Sequence, residues 1–151
     1  MDRPITWYVV ADAGRAEALV KRRHESGFDT VRTWENPLAH LKAHDLGSDK
    51  PGRAFDSLGA HRSAMEPHEN PKDVSERNFA RELADALAAA VAAGEVERIV
   101  LIAAPRLLGM IRPLLSPAVT AVIHSEHAKD YTKLPRADLF ARLNELRPVG
   151  G

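Results

Sequence analysis

Residues 99–104 form an unbroken apolar run, Ile-Val-Leu-Ile-Ala-Ala. A run of this length without alternation is typical of a β-strand that is covered on both faces, as in a parallel sheet between layers of helices. Residues 106–112 predict a short helix after it, and residues 119–124 predict a second strand. The sequence therefore predicts a βαβ unit with parallel strands and a right-handed crossover.

The segment after residue 70 has the signals of a long helix. Asn70 can cap its start, Pro71 suits the first helical position, and Asp73 places a carboxylate near the free N–H groups. Gly94 can end it. One face carries apolar residues at helical spacing: Phe79, Ala80, Leu83, Leu87, Ala90 and Val91. We expect this face to pack on the sheet.

The N-terminal third predicts an antiparallel meander. Its strands are rich in β-branched and aromatic residues or alternate in polarity, and Asp12-Ala13-Gly14 and Ser26-Gly27 provide turn residues between them. The predicted strands are residues 5–11, 15–23 and 28–35. They end before the long helix begins.

Two further helices complete the predicted fold, a short one at residues 37–44 and a closing one at residues 136–146. Strands before and after the long helix indicate an α/β class. We predict a single domain with a mixed β-sheet, an antiparallel meander followed by parallel strands. Helices cover its faces in a ribonuclease-H-like arrangement.

The composition narrows the class of protein. The chain has 151 residues, 44% hydrophobic and 28% charged, which fits one globular domain over residues 1–151. No cysteine is present, which excludes disulfides and thiolate zinc sites. The 21 basic and 21 acidic residues cancel, so contact with nucleic acid must be local. Without an export pattern or about 18 consecutive apolar residues, we expect a cytoplasmic protein with no membrane contact.

Residues 45–71 predict a long loop that contains glycine and proline and shows no sustained period. Structureless connections of this length are uncommon in compact domains and are usually functional. Basic side chains along the loop can follow a phosphate backbone, and Arg106 at the start of a helix suits an anion. The predicted RNA- or anion-binding residues are Lys50, Gly52, Arg53, Asp56, Ser57, Arg62 and Arg106.

A purely structural interpretation of the same arginines stays open. Arg53 and Arg62 can pair with acidic residues of the loop and hold it closed, and Arg106 can pair with a loop carboxylate. The carboxylates available to them are Asp49, Asp56 and Glu66.

Catalytic motifs are incomplete in this chain. A ribonuclease-H-type nuclease needs several carboxylates at strand ends to hold two metal ions, but only Asp12 supplies one, and Ala104 ends the apolar strand. Histidine pairs and serines occur without the neighbours that zinc hydrolases or serine nucleophiles require. These partial motifs are His40 with His44, His124 with Glu126 and His127, and Ser57 and Ser63 near His61. We predict no catalytic residue, no metal site and no cofactor.

Short blocks along nearly the whole chain carry a family resemblance. They are Val9-Val10-Ala11-Asp12 with Arg15-Ala16, Glu35-Asn36-Pro37, residues 48–57 with Arg62, Glu66-Pro67, Asn70-Pro71-Lys72, residues 102–109, and Glu126 with Lys129-Asp130 and Thr132. These blocks resemble the bacterial host attachment proteins, or proteins required for attachment to host cells. That family is similar to the middle domain of archaeal and eukaryotic peptide-chain release factors and of Pelota-type rescue factors. The resemblance implies that loop 45–71 corresponds to the segment that enters the peptidyl-transferase centre.

One departure shapes the functional hypothesis. Release factors position hydrolytic water with a Gly-Gly-Gln tip, and this chain contains no glutamine. Our first hypothesis is therefore a non-enzymatic, release-factor-like domain that binds the ribosome or tRNA. Lys50, Arg53, Arg62 and Arg106 would contact phosphate.

Two alternatives belong to other classes. One is a metal-dependent hydrolase that uses Asp12, Asp49, Asp56 and the histidines around the loop. The other is a regulatory protein-interaction module whose loop orders on a protein partner. The sequence gives no indication of the oligomeric state.

Overall fold

Five strands form one mixed sheet in the computed structural model, which describes residues 4–40 and 70–148. The strands are β1 Thr6–Ala11, β2 Arg15–Lys21, β3 Phe28–Glu35, β4 Arg98–Ala103 and β5 Ile123–Ala128. Their order across the sheet is β3-β2-β1-β4-β5. The β1–β2 and β2–β3 pairs are antiparallel, whereas β1–β4 and β4–β5 are parallel. The predicted mixed sheet is confirmed, and its order is compatible with a ribonuclease-H-type fold.

Within the described ranges, four α-helices connect or follow these strands. They are α1 Pro71–Ala92, α2 Pro105–Ile111, α3 Pro117–Val122 and α4 Arg136–Glu145, with 3-10 turns at Pro37–His40 and Arg112–Leu114. Of the helix predicted at residues 37–44, residues 41–44 lie outside the described part. Across the two described ranges, the helices are all too short or too polar to cross a bilayer.

Helix α1 forms for the reasons that its sequence suggests. The Asn70 side chain accepts the Asp73 N–H over 2.9 Å, and Pro71 occupies the start. Beyond the C-cap, Gly94 has φ +76, a left-handed conformation that glycine adopts without a Cβ clash. The predicted apolar face of α1, with Phe79, Leu83 and Leu87 at its centre, is buried.

Helices pack on both faces of the sheet, three on one face and one on the other. One face packs against α1, α2 and α3. The other, with Tyr8, Val10, Val100 and Ile102, packs against α4. In β1 and β4, five of six residues are buried, as the apolar run predicts for central strands. Helix α4 covers its face with two buried residues, Leu139 and Leu143.

The strand predicted at residues 119–124 is wrong in position. Residues 117–122 form α3, because Ser116 accepts the Val119 N–H over 3.2 Å as an N-cap and Pro117 opens the helix. The strand β5 follows at Ile123–Ala128, where partly buried and exposed residues alternate. Because its residues alternate, this edge strand is less apolar in sequence than α3. The valines of α3 therefore resembled a strand more closely, although Val119 packs on the core from a helix.

Candidate functional site

The carboxyl ends of β1, β4 and β5 meet at one edge of the sheet because these strands are parallel. The Ala104 N–H donates to the Ala11 carbonyl over 3.0 Å, which joins the ends of β4 and β1. Lys129, directly after β5, donates its N–H to the Ala103 carbonyl over 3.0 Å. Ligands of open α/β sheets collect beyond such strand ends. This edge is therefore the candidate site.

Asp12, directly after β1, shapes the loop at this edge. Its Oδ1 accepts the N–H groups of Gly14 at 2.7 Å and of Arg15 at 3.0 Å. Its Oδ2 accepts the hydroxyl of Thr132 at 2.7 Å. The carboxylate thus joins the β1–β2 turn to the segment after β5, with a donor on each oxygen.

The Thr132 hydroxyl lies between two carboxylates. Its oxygen is 2.7 Å from Asp12 Oδ2 and 2.8 Å from Asp130 Oδ1. A hydroxyl has one hydrogen, so it donates to one carboxylate at a time. Arg15 adds a charged donor beside the pair, because its Nη2 donates to the Thr132 carbonyl over 2.8 Å. Sequence reasoning named Thr132 only within the family resemblance.

Asn36 is the buried polar residue that fixes the other side of the turn. It is 6% exposed. Its Nδ2 donates to Ser75 Oγ at 3.0 Å and to the Ala13 carbonyl at 3.2 Å, and its backbone N–H donates to the Gly14 carbonyl at 2.9 Å. One asparagine therefore links β3, the β1–β2 turn and α1. In the sequence, Asn36 is followed by a proline and comes directly after a strand. An Asn-Pro pair in this place predicts a turn, but it does not predict which groups the buried asparagine bonds.

Arg106, at the start of α2, is held against α1. Its Nε donates to Glu76 Oε1 over 2.6 Å, and its Nη2 pairs with Asp73. The Glu76 side chain is only 6% exposed, whereas that of Arg106 is 57% exposed. The hydrogen bond that Arg106 donates to Glu76, followed by the charge of Glu76, raises the pKa of Arg106. The structural alternative, in which Arg106 pairs with a carboxylate, is therefore found. The carboxylates belong to α1, however, and not to the predicted loop.

These residues surround an open cleft of about 430 Å³, which we name the strand-end cleft. Its charged lining has four cations and three carboxylates. The cations are Arg15, Lys72, Arg106 and Lys133, and the carboxylates are Asp12, Glu76 and Asp130. Ala39, in the turn after β3, also lines it. Arg15, Lys72 and Lys133 were not among the predicted site residues, although Arg15 and Lys72 belong to blocks of the family resemblance.

The predicted loop residues cannot be placed around this cleft. Of the seven predicted RNA- or anion-binding residues, Arg106 alone falls within residues 4–40 and 70–148. Lys50, Gly52, Arg53, Asp56, Ser57 and Arg62 lie outside the described residues, as do His44, Asp49, His61 and Ser63. Their predicted role stays a prediction.

The histidine cluster on β5 is spread over two faces of the strand. Glu126 accepts from Arg112 Nε over 2.7 Å, while His127 Nε2 lies 3.0 Å from Ser125 Oγ. Burial, together with the charges of His124 and Lys129, lowers the pKa of His127. Within the described ranges, His, Asp and Glu side chains do not gather in threes that could hold a metal ion.

Comparison with known proteins identifies the family. A family model described as "Protein required for attachment to host cells" matches residues 7–143. The chain belongs to this host attachment family. The match runs from the second residue of β1 into α4 and so includes every element of the strand-end cleft. A search of curated proteins found no match.

Membership of the host attachment family confirms the resemblance to host attachment proteins, while the similarity to release factors stays a prediction. Residues of its separated blocks, Asp12, Arg15, Asn36, Arg106 and Thr132, come together at or beside the strand-end cleft. Since distant parts of the chain supply them, the cleft brings together those blocks that fall within the described ranges.

Proposed function

We propose that the protein is a non-enzymatic, release-factor-like domain that binds RNA of the ribosome or tRNA through backbone phosphates. The observation that carries the proposal is the set of four cations that line the strand-end cleft beside three carboxylates. Cationic side chains on such an edge can position a phosphate backbone without reading its sequence. The RNA-binding residues are Arg106, Arg15, Lys72 and Lys133, with Lys50, Arg53 and Arg62 from the loop.

Arg106 is well suited to a phosphate in this proposal. Its bonds to Glu76 and Asp73 use Nε and one N–H of Nη2, and a guanidinium has five N–H groups. The two carboxylates fix the plane of the guanidinium, while more than half of the side chain is exposed. A fixed, exposed guanidinium loses little rotamer freedom when it binds an anion.

The chemistry around the cleft favours binding over hydrolysis. The chain has no glutamine to position a water. Asp12 Oδ1 accepts the N–H groups of Gly14 and Arg15, and Oδ2 lies next to the Thr132 hydroxyl, so this carboxylate holds the turn in place. The proposed role places the protein in the cytoplasm with ribosomes. The attachment named in the family description would then arise indirectly, through an effect on translation.

The proposal is tested by sucrose-gradient sedimentation of a lysate at low and moderate salt. We expect the parent to migrate with ribosomal or tRNA fractions and to dissociate as salt rises, since phosphate contacts release counterions. The variant Arg53→Ala/Arg62→Ala should lose most of this association. The control Arg32→Ala/Arg81→Ala removes the same charge from the α1 side of the molecule and should migrate like the parent.

Two results would contradict the proposal. The first is a parent that stays at the top of the gradient at both salt concentrations and does not bind purified tRNA. The second is a loop variant that sediments like the parent and the control, which would remove the loop from the contact.

A further inference from the structure

A second basic surface lies at the opposite end of the sheet from the strand-end cleft. It is an open recess of about 450 Å³ between the β2–β3 turn and the C-terminal end of α4, and we name it the basic recess. Because β2 runs antiparallel to β1, its last residue, Lys21, lies at the amino end of β1. The lining residues are Lys21, Arg22, Arg23, His24, Glu25, Ser26, Asn144 and Arg147.

The walls of the basic recess are fixed to each other. Asn144 of α4 donates its Nδ2 to the Ser26 carbonyl over 2.9 Å, which ties the helix to the turn. Within the turn, the Arg22 N–H donates to the Gly27 carbonyl over 2.9 Å. His24 adopts φ 60, a conformation that is uncommon outside glycine. The recess is thus held open by the fold before any ligand arrives.

The charges of the basic recess are only partly balanced. Arg22 pairs with Asp29 over 2.8 Å and with Glu25 over 3.4 Å. Lys21 instead directs its Nζ to the backbone carbonyls of Arg22 and Glu25. Arg23 and Arg147 are exposed. Four cations therefore share two carboxylates, and the excess charge faces solvent.

Two buried donors lie close to this excess charge. The Tyr8 hydroxyl and Arg98 Nη2 are buried and have no hydrogen-bond partner among the described residues. The Tyr8 ring packs edge-on against Phe28 at 5.1 Å, next to the turn. Burial raises the pKa of Tyr8, against the opposing charges of Arg147 and Arg98, so the hydroxyl stays a donor. Neither Tyr8 nor Arg98 lines the basic recess, so a ligand there would contact the surface cations instead.

The numbers of basic and acidic residues also differ between the two sides of the sheet. Residues 71–97 and 105–122, on the α1 side of the sheet, include five basic and six acidic residues. Residues 21–25 and 129–147, on the α4 side, together include eight basic and four acidic residues. These α4-side segments thus carry an excess of basic residues, although Arg136 at the start of α4 is paired with Glu17.

We infer that the basic recess is a second phosphate-binding site, which takes a backbone phosphate of the same RNA that the strand-end cleft binds. This inference rests on the proposed function. The length of a six- or seven-residue strand separates the two sites, about 20 Å at 3.3 Å per residue. An RNA that runs along the α4 side from Lys133 to Arg147 would therefore reach both ends of the sheet.

The test compares binding across a salt series between about 50 and 200 mM. Fluorescence anisotropy with labelled tRNA and co-sedimentation with purified ribosomes show which RNA the parent binds, and the variants are measured on that RNA. We expect Arg23→Ala/Arg147→Ala to weaken binding and to reduce the salt slope by about one for each lost contact. Arg23→Lys/Arg147→Lys keeps the charge and should keep the slope. Arg32→Ala/Arg81→Ala should behave like the parent.

The possible failures can be told apart. If Arg53→Ala/Arg62→Ala lowers the slope while Arg23→Ala/Arg147→Ala binds like the parent, the second site is wrong and the proposed function stands. If the parent binds neither tRNA nor ribosomes, both are wrong. If the lysine variant loses as much slope as the alanine variant, charge is not the cause, and the phosphate contact is wrong. Circular dichroism of each variant checks that the substitutions leave the fold intact.

Discussion

Glu17 is a carboxylate on β2 whose charge is stabilised by two donors. Arg136 binds it through two hydrogen bonds, Nη1 to Oε1 at 3.0 Å and Nη2 to Oε2 at 2.9 Å. Thr30 adds its hydroxyl at 2.7 Å. Burial would raise the pKa of Glu17, but the hydrogen bonds from Arg136 and Thr30 outweigh it and lower the pKa. The pair joins the meander to the start of α4.

The free energy of unfolding should depend on pH through the charge of Glu17. A pKa that is lower in the folded state than its ordinary value of 4.5 contributes stability above that value, which is lost as the pH falls through the folded pKa. Glu17→Gln should therefore lower the free energy of unfolding at pH 7 by on the order of 1 kcal/mol and flatten its decline in acid. Urea unfolding between pH 7 and pH 3 measures both. Glu82→Gln, an exposed change on α1, is the control; equal slopes in acid for the parent and Glu17→Gln would contradict the prediction.

For single residues, the position along the chain could be predicted from sequence, but the tertiary partners could not. That Arg106 begins a helix at a strand end could be predicted, because Pro105 and the preceding apolar run mark the position. Its partners Glu76 and Asp73 could not, since they are 30 and 33 residues away along the chain. Asn36 and Thr132 were missed as site residues for the same reason. A buried polar group is recognised by its partners, and those are set by tertiary structure.

At the scale of elements, local signals located the helices that have both caps and an apolar face. Helix α1 was predicted from Asn70 to Gly94 and found at Pro71–Ala92. The error at β5 shows the limit, since Val119 and Val122 have high strand propensity but lie in α3. There the cap from Ser116 and the burial of Val119 outweigh the intrinsic preference of β-branched residues.

Two glycines should respond in opposite directions to alanine. Gly94→Ala places a Cβ on a residue with φ +76 and should destabilise the protein by about 1 kcal/mol. Gly109→Ala lies inside α2, where a Cβ meets no atom within 4 Å, and should stabilise it by about 0.5–1 kcal/mol. Thermal unfolding of both variants and the parent gives the signs. A Gly94→Ala variant as stable as the parent would show that the turn relaxes without strain.

At the scale of the whole molecule, the architecture was predictable because the strand patterns differ. Alternating strands before the long helix and a continuous apolar strand after it predict an antiparallel meander and a central parallel strand, and both are found. The arrangement of charge over the two sides of the sheet was not predicted. It depends on which helices cover which face, and the formal charge of zero conceals it.

The unequal cover of the two faces predicts unequal local stability. Helix α1 has eight buried residues and α4 has two. We therefore expect amides of α4 to exchange with solvent through local opening at low free energy, while amides of β1 and β4 exchange only on global unfolding. Native-state hydrogen exchange followed by NMR, over a range of low denaturant concentrations, tests this order. Amides of α4 that are as protected as those of β1 would contradict it.

The parallel pairing at the centre of the sheet also sets the order in which a newly made chain can fold. Thr6 and Arg98 are bonded neighbours across β1 and β4, yet they are 92 residues apart in sequence. At about 5–20 residues per second, translation delays this pairing by about 5–20 s after β1 has been made. During that interval the meander can form, but Trp7, Val9 and Val10 have no opposing layer. The apolar centre of the sheet is thus exposed longest during biosynthesis, and we expect chaperones to bind it in that interval.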